Sequence, residues 1–332
     1  MSKLYHEKDV NKETLKSAAI AVLGYGSQGR AQALNLRDSG LNVTLGLRLE
    51  GLSAQQARSD GWAPVDVPTA VNGADVVVVL VPDMAQPDLY TALVEPNLKK
   101  GALLLFAHGF NVHYDMLKPN EFVDVALVAP KAPGQRVRHE YTQGRGVPAL
   151  LAVEQDPTGT AHARALAYAH GIGSARAGVF ETSFSEETET DLFGEQAVLC
   201  GGVSELVVAG FETLVEAGYN PEVAYFECLH ELKLIVDLLH EGGLARMHKF
   251  VSDTASFGDL TRGPKVVDTH VRGKLKGVLE EIQSGKFARE WCEEHNQGSP
   301  NYKGLLDEDL LHPIEAVGQR LRARMPWLKE AS

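Results

Sequence analysis

Cysteine is scarce in this chain: there are three in 332 residues, Cys200, Cys228 and Cys292. Their wide spacing matches neither a zinc motif nor a redox pair, so reduced thiols in a cytoplasmic enzyme are expected. Long apolar runs are also absent. The polar N-terminus lacks the hydrophobic segment of a secretion signal, and no uninterrupted run approaches the ~20 residues of a membrane span. The sequence therefore predicts no secretion and no membrane partner.

Positive charge is in deficit as well. The 32 lysines and arginines face 44 aspartates and glutamates, a net charge of −12. This balance argues against a general nucleic-acid binder, since such proteins present basic surfaces. The length and the ordinary hydrophobic content suffice for two domains with their own cores. The net charge says little about small anionic ligands, which respond to local charge.

The first half of the chain alternates short apolar runs with helical patterns. The runs are SAAIAVLG, LNVTLGL, ADVVVVLVP, GALLLFAHG and FVDVALVAP, with VPALLAV as one more. They are nearly continuously hydrophobic, as expected for parallel strands covered on both faces. The pattern predicts a doubly wound, mostly parallel α/β domain over residues 1–182.

Beyond Thr182 the character changes, and long helical patterns replace the apolar runs. The predicted helices include residues 188–200, 202–217, 221–241 and 273–283, with a last one near 313–325. We therefore expect a second, all-α domain over residues 183–328.

A glycine motif links the first predicted strand to a helix. It reads Gly24, Tyr25, Gly26, Ser27, Gln28 and Gly29. Glycines at this spacing permit a tight turn and a close approach of a pyrophosphate to the helix N-terminus. About 20 residues later, where NAD and NADP are usually distinguished, Arg48 suits a 2′-phosphate, Glu50 suits a bare ribose, and Ser53 suits either. The cofactor preference stays open at this point.

Other polar segments follow later strands, at the carboxyl edge where open α/β sheets bind ligands. One is Asp83, Met84, Ala85 and Gln86; the others are His108 in AHGFN, and Lys131 with Gly134 in APKAPG. His108 is either a surface histidine or a catalytic group. Lys131, between two prolines, is either a solvated lysine or a fixed cation that faces the substrate.

Two acidic pairs have helical spacing. Asp191 and Glu195 share a helix face with Cβ atoms ~6 Å apart, and such charges repel unless a cation or proton lies between them. Glu186, Glu187 and Glu189 need no such explanation, because acidic residues are stabilised at a helix start.

Glu227 and Glu231 form the second pair, in a helix that is apolar almost all round and is therefore expected to be mostly buried. Buried unpaired carboxylates are costly. Two such pairs with few histidines favour a Mg²⁺ site.

At this point the sequence resembles the ketol-acid reductoisomerase (acetohydroxyacid isomeroreductase) family, in its short class I form. The motifs that carry the resemblance are GYGSQGRAQALNLRDSG, AHGFN, APKAPG, ETETDLFGEQAVLCGG, YFECLHELKLIVDL, SDTASFGD, IQSGKFAREW and HPIEAVGQRLRARMPW. They extend over nearly the whole chain. The resemblance implies a Rossmann domain, a knotted helical domain, and a homodimer with shared active sites.

The implied reaction converts 2-acetolactate or 2-aceto-2-hydroxybutyrate to the 2,3-dihydroxy acid, in valine and isoleucine synthesis, with NADPH or NADH and two Mg²⁺ ions. By resemblance, Asp191 would bridge both ions and Glu195 would bind the first. Glu227 and Glu231 of the second subunit would serve the other ion. Ser252 would hold the substrate carboxylate, and His108, Lys131 and Glu231 would take part in catalysis.

The chain departs from the family at three places. Arg30 and Gln32 replace two histidines after the glycine loop, which predicts altered cofactor packing. The loop after Arg48 lacks the usual basic and extra hydroxyl residues, and its Glu50 leads to the hypothesis that NADH is used well. The alternatives to this family are a metal-independent 3-hydroxyacid-type or 6-phosphogluconate-type dehydrogenase and a catalytically silent dinucleotide sensor. Neither requires both acidic pairs.

Overall fold

The computed structural model describes residues 3–325; residues 326–328 of the predicted second domain, with the end of the HPIEAVGQRLRARMPW motif, lie outside the described residues. The chain forms two compact units, one ending at Thr190 and the other beginning at Asp191. This division lies after the expected boundary near Thr182, because Phe184 packs into the core of the first unit.

The first unit contains one eight-stranded sheet. Its strands are β1 (Leu4–Tyr5), β2 (Ala19–Leu23), β3 (Asn42–Gly46), β4 (Val76–Val79), β5 (Leu103–Phe106), β6 (Asp124–Pro130), β7 (Ala149–Gln155) and β8 (Val179–Glu181), in the order β1-β8-β7-β6-β5-β4-β2-β3. β3, β2, β4, β5 and β6 are mutually parallel. β7 pairs antiparallel with β6, and β1 with β8. The predicted mostly parallel sheet is confirmed, although β7 is antiparallel to β6 and pairs parallel with β8 instead.

Two hydrophobic cores, one on each face, explain the continuous apolar runs. In β2, Ile20 and Val22 enter one core, whereas Ala21 and Leu23 enter the other. The strands β4 and β5 alternate in the same way, so every residue of their central segments is buried. β3 is an edge strand, and its first residues remain partly accessible, unlike the predicted strand with two covered faces.

The helices of the first unit pack around this sheet. They are α1 (Ser27–Asp38), α2 (Leu52–Ser59), α3 (Val67–Val71), α4 (Gln86–Leu89), α5 (Phe110–His113), α6 (Gly134–Thr142), α7 (Ala161–Gly171) and the start of α8 (Phe184–Gly194). The chain leaves β2 toward β3 on one side and then places β4 on the other side of β2. This reversal creates the crevice in which such sheets bind dinucleotides.

Among the described residues of the second unit, every regular element is a helix, as predicted. Its helices are α9 (Gly201–Glu216), α10 (Pro221–Tyr225), α11 (Glu231–Phe250), α12 (Asp253–Val266), α13 (Thr269–Gln283), α14 (Lys286–Asn296), α15 (Pro300–Leu311) and α16 (Pro313–Arg322). The start of α10 follows from local chemistry: the Asn220 side chain caps Glu222 N and Val223 N, and Pro221 occupies the first turn. A small core joins α9, α10 and α16 around Phe211 and Tyr225.

Two π-helical turns interrupt the described part of this unit. Glu195–Leu199 lies between α8 and α9, and Phe226–His230 lies between α10 and α11. The first π-helical turn joins α8 and α9 into one continuous helix, Phe184–Glu216, where the sequence predicted two separate helices. α11 continues past the predicted end, with non-helical backbone at Gly242 and Gly243.

The prediction that the helix bearing Glu227 and Glu231 is mostly buried is wrong for the single chain. Both glutamates are exposed, and Leu234 and Val236 are about half exposed. The helix Phe184–Glu216 likewise leaves Leu199 and Leu206 exposed, although by length and composition it is apolar enough to cross a membrane. The apolar pattern is real, but the small core of this unit covers only part of it.

Candidate active site

The glycine loop turns sharply between β2 and α1. Gly24 has a φ of +101°, and a Cβ there would lie 2.5 Å from the carbonyl oxygen of Leu80. Gly26 is the N-cap of α1 and has no side-chain cap. Apart from its chain neighbours, no described atom lies within 4 Å of the point where a Gly26 Cβ would be. The space beside Gly26 is therefore open, which fits the close approach of a pyrophosphate to the N-terminus of α1.

Two side chains of this loop are bonded inside the protein, whereas Ser27 is exposed. The Tyr25 hydroxyl donates to Asp60 Oδ2 at 2.9 Å, and Gln28 Nε2 donates to the Ala132 carbonyl at 2.9 Å. Gly134 begins α6 and lies against the backbone of Ser27, with which a Cβ would overlap. The backbone of the loop, rather than the Tyr25 and Gln28 side chains, is left to bind a dinucleotide.

The cofactor loop between β3 and α2 presents its polar side chains to solvent. Arg48, Glu50 and Ser53 are exposed, and their side chains have no hydrogen bond or ion pair within residues 3–325. The turn itself is held by Gly51 N, which donates to the Arg48 carbonyl at 3.1 Å, and by Arg58, which donates to the Leu49 carbonyl at 2.8 Å. All three predicted side chains are thus accessible to a ribose or its phosphate.

The loop after β4 is braced by amides. Asp83, Met84 and Ala85 form a 3₁₀ turn, and the buried Gln86 donates to the Val81 carbonyl at 3.0 Å and to Asp83 Oδ1 at 3.1 Å. Asn111 of the AHGFN motif donates to the Asp83 carbonyl at 2.9 Å and to Gln86 Oε1 at 3.0 Å. The Gln86 side chain therefore shapes the loop.

The two departures after the glycine loop make specific bonds. Arg30 forms a two-point ion pair with Asp60, at 2.7 Å from Nε and 3.0 Å from its second nitrogen. Gln32 is completely buried and accepts from the Tyr168 hydroxyl at 2.7 Å. Both replacements belong to networks around the glycine loop, consistent with the predicted change in packing there.

His108 and Lys131 converge on one buried carboxylate. His108 Nδ1 lies 3.0 Å from Glu187 Oε2, and Lys131 Nζ donates to Glu187 Oε1 at 2.9 Å. Gly109 N also donates to Glu187 Oε2, at 3.1 Å. The Glu187 side chain is 1 % exposed, against 19 % for His108 and 33 % for Lys131. The two predicted catalytic residues thus share a partner from α8.

The electrostatics of this group favour an ionised carboxylate. Burial raises the pKa of Glu187, but the hydrogen bonds and charges of His108 and Lys131 outweigh it and hold the pKa below its usual value. Glu187 therefore stays negative at neutral pH and keeps a proton on His108 Nδ1.

The sequence interpretation of Glu187 as a solvated helix-start residue is wrong. Glu186 is exposed as expected, and Glu189 lies 3.4 Å from His113, but Glu187 is buried because α8 turns that face toward the sheet. The overlooked signal is spacing: Glu187, Asp191 and Glu195 recur every four residues, so they share one helix face.

The two acidic pairs each meet a π-helical turn. Glu195 is the first residue of one turn, and Glu227 lies in the other with Glu231 directly after it. The side chains of Glu227 and Glu231 form no ion pair or hydrogen bond within the described part of the chain. Adjacent carboxylates without a countercharge are destabilising, and their oxygens suit Mg²⁺. π-turns are themselves frequent at functional sites.

Ser252 caps α12. Its Oγ accepts from Ala255 N at 3.1 Å, and the residue is exposed. A hydroxyl that accepts one hydrogen bond still has its own proton to donate, and the helix N-terminus favours an anion. The local structure therefore suits the carboxylate-binding role predicted for Ser252.

Both halves of the chain match known families. Residues 14–178 match the model of the acetohydroxy acid isomeroreductase NADPH-binding domain, and residues 184–327 match the ketol-acid reductoisomerase C-terminal domain. The ketol-acid reductoisomerase (NADP(+)) of Leptospira biflexa is 54% identical over 331 residues, covering 99% of each chain. That of Xanthomonas euvesicatoria is 59% identical over 309 residues, covering 93% of each.

A solved structure agrees with this assignment. The NADH-preferring ketol-acid reductoisomerase from an uncultured archean superposes with a TM-score of 0.95 at 44% identity, covering 97% of this chain and 98% of that one. The dehydrogenase and sensor alternatives are therefore set aside. The chain belongs to the ketol-acid reductoisomerase family and is an enzyme that uses a nicotinamide dinucleotide.

Proposed function

We propose that the chain catalyses the Mg²⁺-dependent conversion of 2-acetolactate and 2-aceto-2-hydroxybutyrate to the corresponding 2,3-dihydroxy acids, in valine and isoleucine synthesis. The main observation that supports this proposal is the series Glu187, Asp191 and Glu195 along one helix, in which Glu187 is hydrogen-bonded to both His108 and Lys131. In this proposal, Glu187 would hold the cationic and proton-exchanging groups on the helix that also carries carboxylates for the metal, as an alkyl migration that creates a ketone requires.

The metal ligands in this proposal are Asp191, Glu195, Glu227 and Glu231. Two bound Mg²⁺ ions would supply Lewis acidity, lowering the pKa of the substrate hydroxyl and polarising its ketone. The all-oxygen donor set fits that ion, and the π-turns place members of both pairs beside irregular helical backbone.

The remaining residues hold charge and protons. Lys131 places a fixed cation near developing alkoxide charge, where a preorganised donor needs no reorientation. Glu187 keeps the His108 Nδ1 proton in place, so His108 exchanges protons with substrate or water through Nε2. Ser252 donates its hydroxyl proton to the substrate carboxylate at the start of α12. The glycine loop would hold the dinucleotide, which would supply hydride to the new ketone.

NADH is proposed as an effective cofactor alongside NADPH. The exposed Glu50 has no countercharge within the described residues, so it would repel a 2′-phosphate and accept hydrogen bonds from a ribose diol. Arg48 and Ser53 remain available to NADPH. The relatives from Leptospira and Xanthomonas are named for NADP(+), whereas the archaeal structure is named NADH-preferring, so both preferences occur among similar proteins.

A homodimer with shared active sites completes the proposal. No cluster of three or more potential ligand atoms within 4.8 Å of one another joins the two acidic pairs among the described residues of a single chain. The same helices leave apolar residues such as Leu199, Leu206 and Leu234 exposed. A second copy that covers these faces would bring Glu227 and Glu231 to the other subunit's Asp191 and Glu195. The apolar helix Phe184–Glu216 is then an interface helix, in a cytoplasmic enzyme without a membrane partner.

The test is dinucleotide oxidation with 2-acetolactate, with NADH and NADPH in parallel, before and after metal removal by EDTA. Turnover that disappears with EDTA and returns with Mg²⁺ supports the proposal. Unchanged turnover in EDTA, with metal loss verified, contradicts the metal assignment. No turnover by folded, Mg²⁺-saturated enzyme with either dinucleotide contradicts the substrate assignment.

A further inference from the structure

A line of hydrogen bonds crosses the first unit from α7 to the loop that carries Lys131. The Tyr168 hydroxyl lies 2.7 Å from Gln32 Oε1, Gln32 Nε2 lies 2.9 Å from Gln28 Oε1, and Gln28 Nε2 lies 2.9 Å from the Ala132 carbonyl. Tyr168 and Gln32 are completely buried. Dinucleotide binding accounts for Gln28, which lies in the glycine loop, but gives no role to Gln32 or Tyr168.

The direction of every bond follows from its first donor. Burial raises the pKa of Tyr168, so its hydroxyl stays protonated at any working pH. Because it donates to Gln32 Oε1, the Gln32 amide must present its nitrogen to Gln28. Gln28 in turn must present its nitrogen to the Ala132 carbonyl, which can only accept.

The last bond acts on the carbonyl of Ala132, the residue directly after Lys131. Lys131 N donates to the Pro148 carbonyl at 2.9 Å, and the Ala132 carbonyl accepts from Gln28 at 2.9 Å. The backbone around Lys131 is thus hydrogen-bonded both to the segment before β7 and to Gln28 in α1. Its side chain ends 2.9 Å from Glu187 Oε1.

We infer that Tyr168, Gln32 and Gln28 are positioning residues that set the place of Lys131 relative to the glycine loop. The inference rests on the proposed role of Lys131 as the cation that stabilises the alkoxide. The side-chain amides of Gln32 and Gln28 would then fix the distance between the Lys131 cation and the bound dinucleotide. This role would also explain Gln32, which departs from the family pattern.

The central variant is Tyr168→Phe, which removes one hydroxyl from the start of the line. Gln32 Oε1 is then buried without its donor, so the Gln32 amide is less firmly held, and its support of Gln28 and of the Ala132 carbonyl weakens. We expect kcat to fall roughly ten- to a hundredfold, since small misplacements of catalytic groups have effects of that size. The dissociation constant for NADPH or NADH, from dinucleotide fluorescence, should change less than about twofold because the backbone contacts of the loop persist.

Tyr90→Phe is the matched control. Tyr90 is also a buried tyrosine, and its hydroxyl accepts from Asn120 N at 3.1 Å in the core on the opposite face of the sheet. The two variants should lower the thermal midpoint similarly, but only Tyr168→Phe should lower kcat. Equal kcat values for the two variants would show that the line is merely structural and would overturn the inference.

Two further variants separate this inference from the role of Lys131. Gln28→Leu removes the final bond directly, and its double mutant with Tyr168→Phe should be no slower than the slower single mutant, because both act through one contact. Fully multiplicative losses would contradict a shared line. If Lys131→Ala loses turnover while Tyr168→Phe and Gln28→Leu keep wild-type kcat, the inference alone fails. If Lys131→Ala turns over normally, the proposed role of Lys131 fails and the inference fails with it.

Discussion

At the scale of single residues, function depends on how one carboxylate is buried. Glu187 differs from Glu186 only by its position on α8, yet one is buried against His108 and Lys131 and the other is exposed. A buried carboxylate is tolerated here because three donors surround it, including the Gly109 amide. Local sequence does not distinguish the two glutamates, whereas the face of the helix does.

Glu187→Gln tests this group. The glutamine keeps the size of the side chain but removes the charge that orients the His108 proton and pairs with Lys131. We expect kcat to fall by roughly a hundredfold or more, the range typical of lost proton-transfer and charge-positioning groups, with the fold retained by circular dichroism. Glu186→Gln is the control and should keep wild-type kcat. Equal turnover by the two variants would remove Glu187 from the mechanism.

Glu50→Ser tests the cofactor preference. Removal of the exposed negative charge should shift the ratio of kcat/KM values toward NADPH by roughly tenfold, because the repulsion of a 2′-phosphate disappears while Arg48 remains. Parallel kinetics with NADH and NADPH measure the ratio in wild type and variant. An unmoved ratio means that Glu50 does not select the cofactor.

At the scale of elements, Asp60 connects the end of α2 to the glycine loop through hydrogen bonds. Asp60 follows α2 directly and accepts hydrogen bonds from Tyr25, Arg30 and Gln56. Its own carbonyl accepts from Arg37 at 2.8 Å. The bond from Arg30 lowers the pKa of Asp60 most; burial opposes this shift, and the bond from Tyr25 adds to it, leaving the pKa at about 2.

Asp60→Asn should therefore destabilise the first unit in a pH-dependent way. The folded pKa lies below the unfolded value of about 3.9, so the contribution of Asp60 is fully present above that pH and is lost as pH falls toward 2. We expect a loss of about 1 to 2 kcal/mol in unfolding free energy at pH 7, discounted for the half-exposed Arg30, and a smaller loss at pH 3. Urea unfolding at both pH values measures it.

The exposed Asp307 provides the control, since Asp307→Asn should change stability little at either pH. A destabilisation by Asp60→Asn that is the same at pH 3 and pH 7 would mean that charge is not what holds α2 to the glycine loop.

At the scale of the whole molecule, the helical unit carries more apolar surface than its own core covers. The core around Phe211 and Tyr225 is small. Four large apolar side chains outside it are 65% to 83% exposed: Leu244, Phe257, Leu260 and Leu311. Exposed apolar surface on this scale marks an interaction site. Because the same unit carries the acidic pairs, we propose a second copy of the chain as the occupant.

Mixing two inactive variants tests the shared site. Asp191→Asn and Glu227→Gln should each abolish turnover without unfolding the chain. In a heterodimer one site would carry both changes and the other neither, so random mixing should restore about one quarter of wild-type activity per chain. Co-expression with two affinity tags isolates the heterodimer and measures its turnover directly. A verified heterodimer without activity would show that each site is built from one chain.

Much of the fold follows from patterns that are local in the chain. The apolar runs at Ile20–Leu23 and Val76–Val79 could only be strands covered on two faces, and the structure has a core on each. The two-residue β1 and the three-residue β8 escaped prediction because so few residues show no periodicity. The antiparallel direction of β7 escaped for another reason: pairing direction is decided by neighbouring strands.

The sequence by itself determined the two-unit organisation, the glycine loop and the acidic pairs, because each depends on spacing within a few turns or one strand. Only the tertiary structure decided that Glu187 is buried, that Gln32 meets Tyr168 and that Arg30 meets Asp60. These partners are separated by between 30 and 136 positions. Such contacts arise when the sheet and its helices bring distant segments together, and no local pattern records which partners will meet.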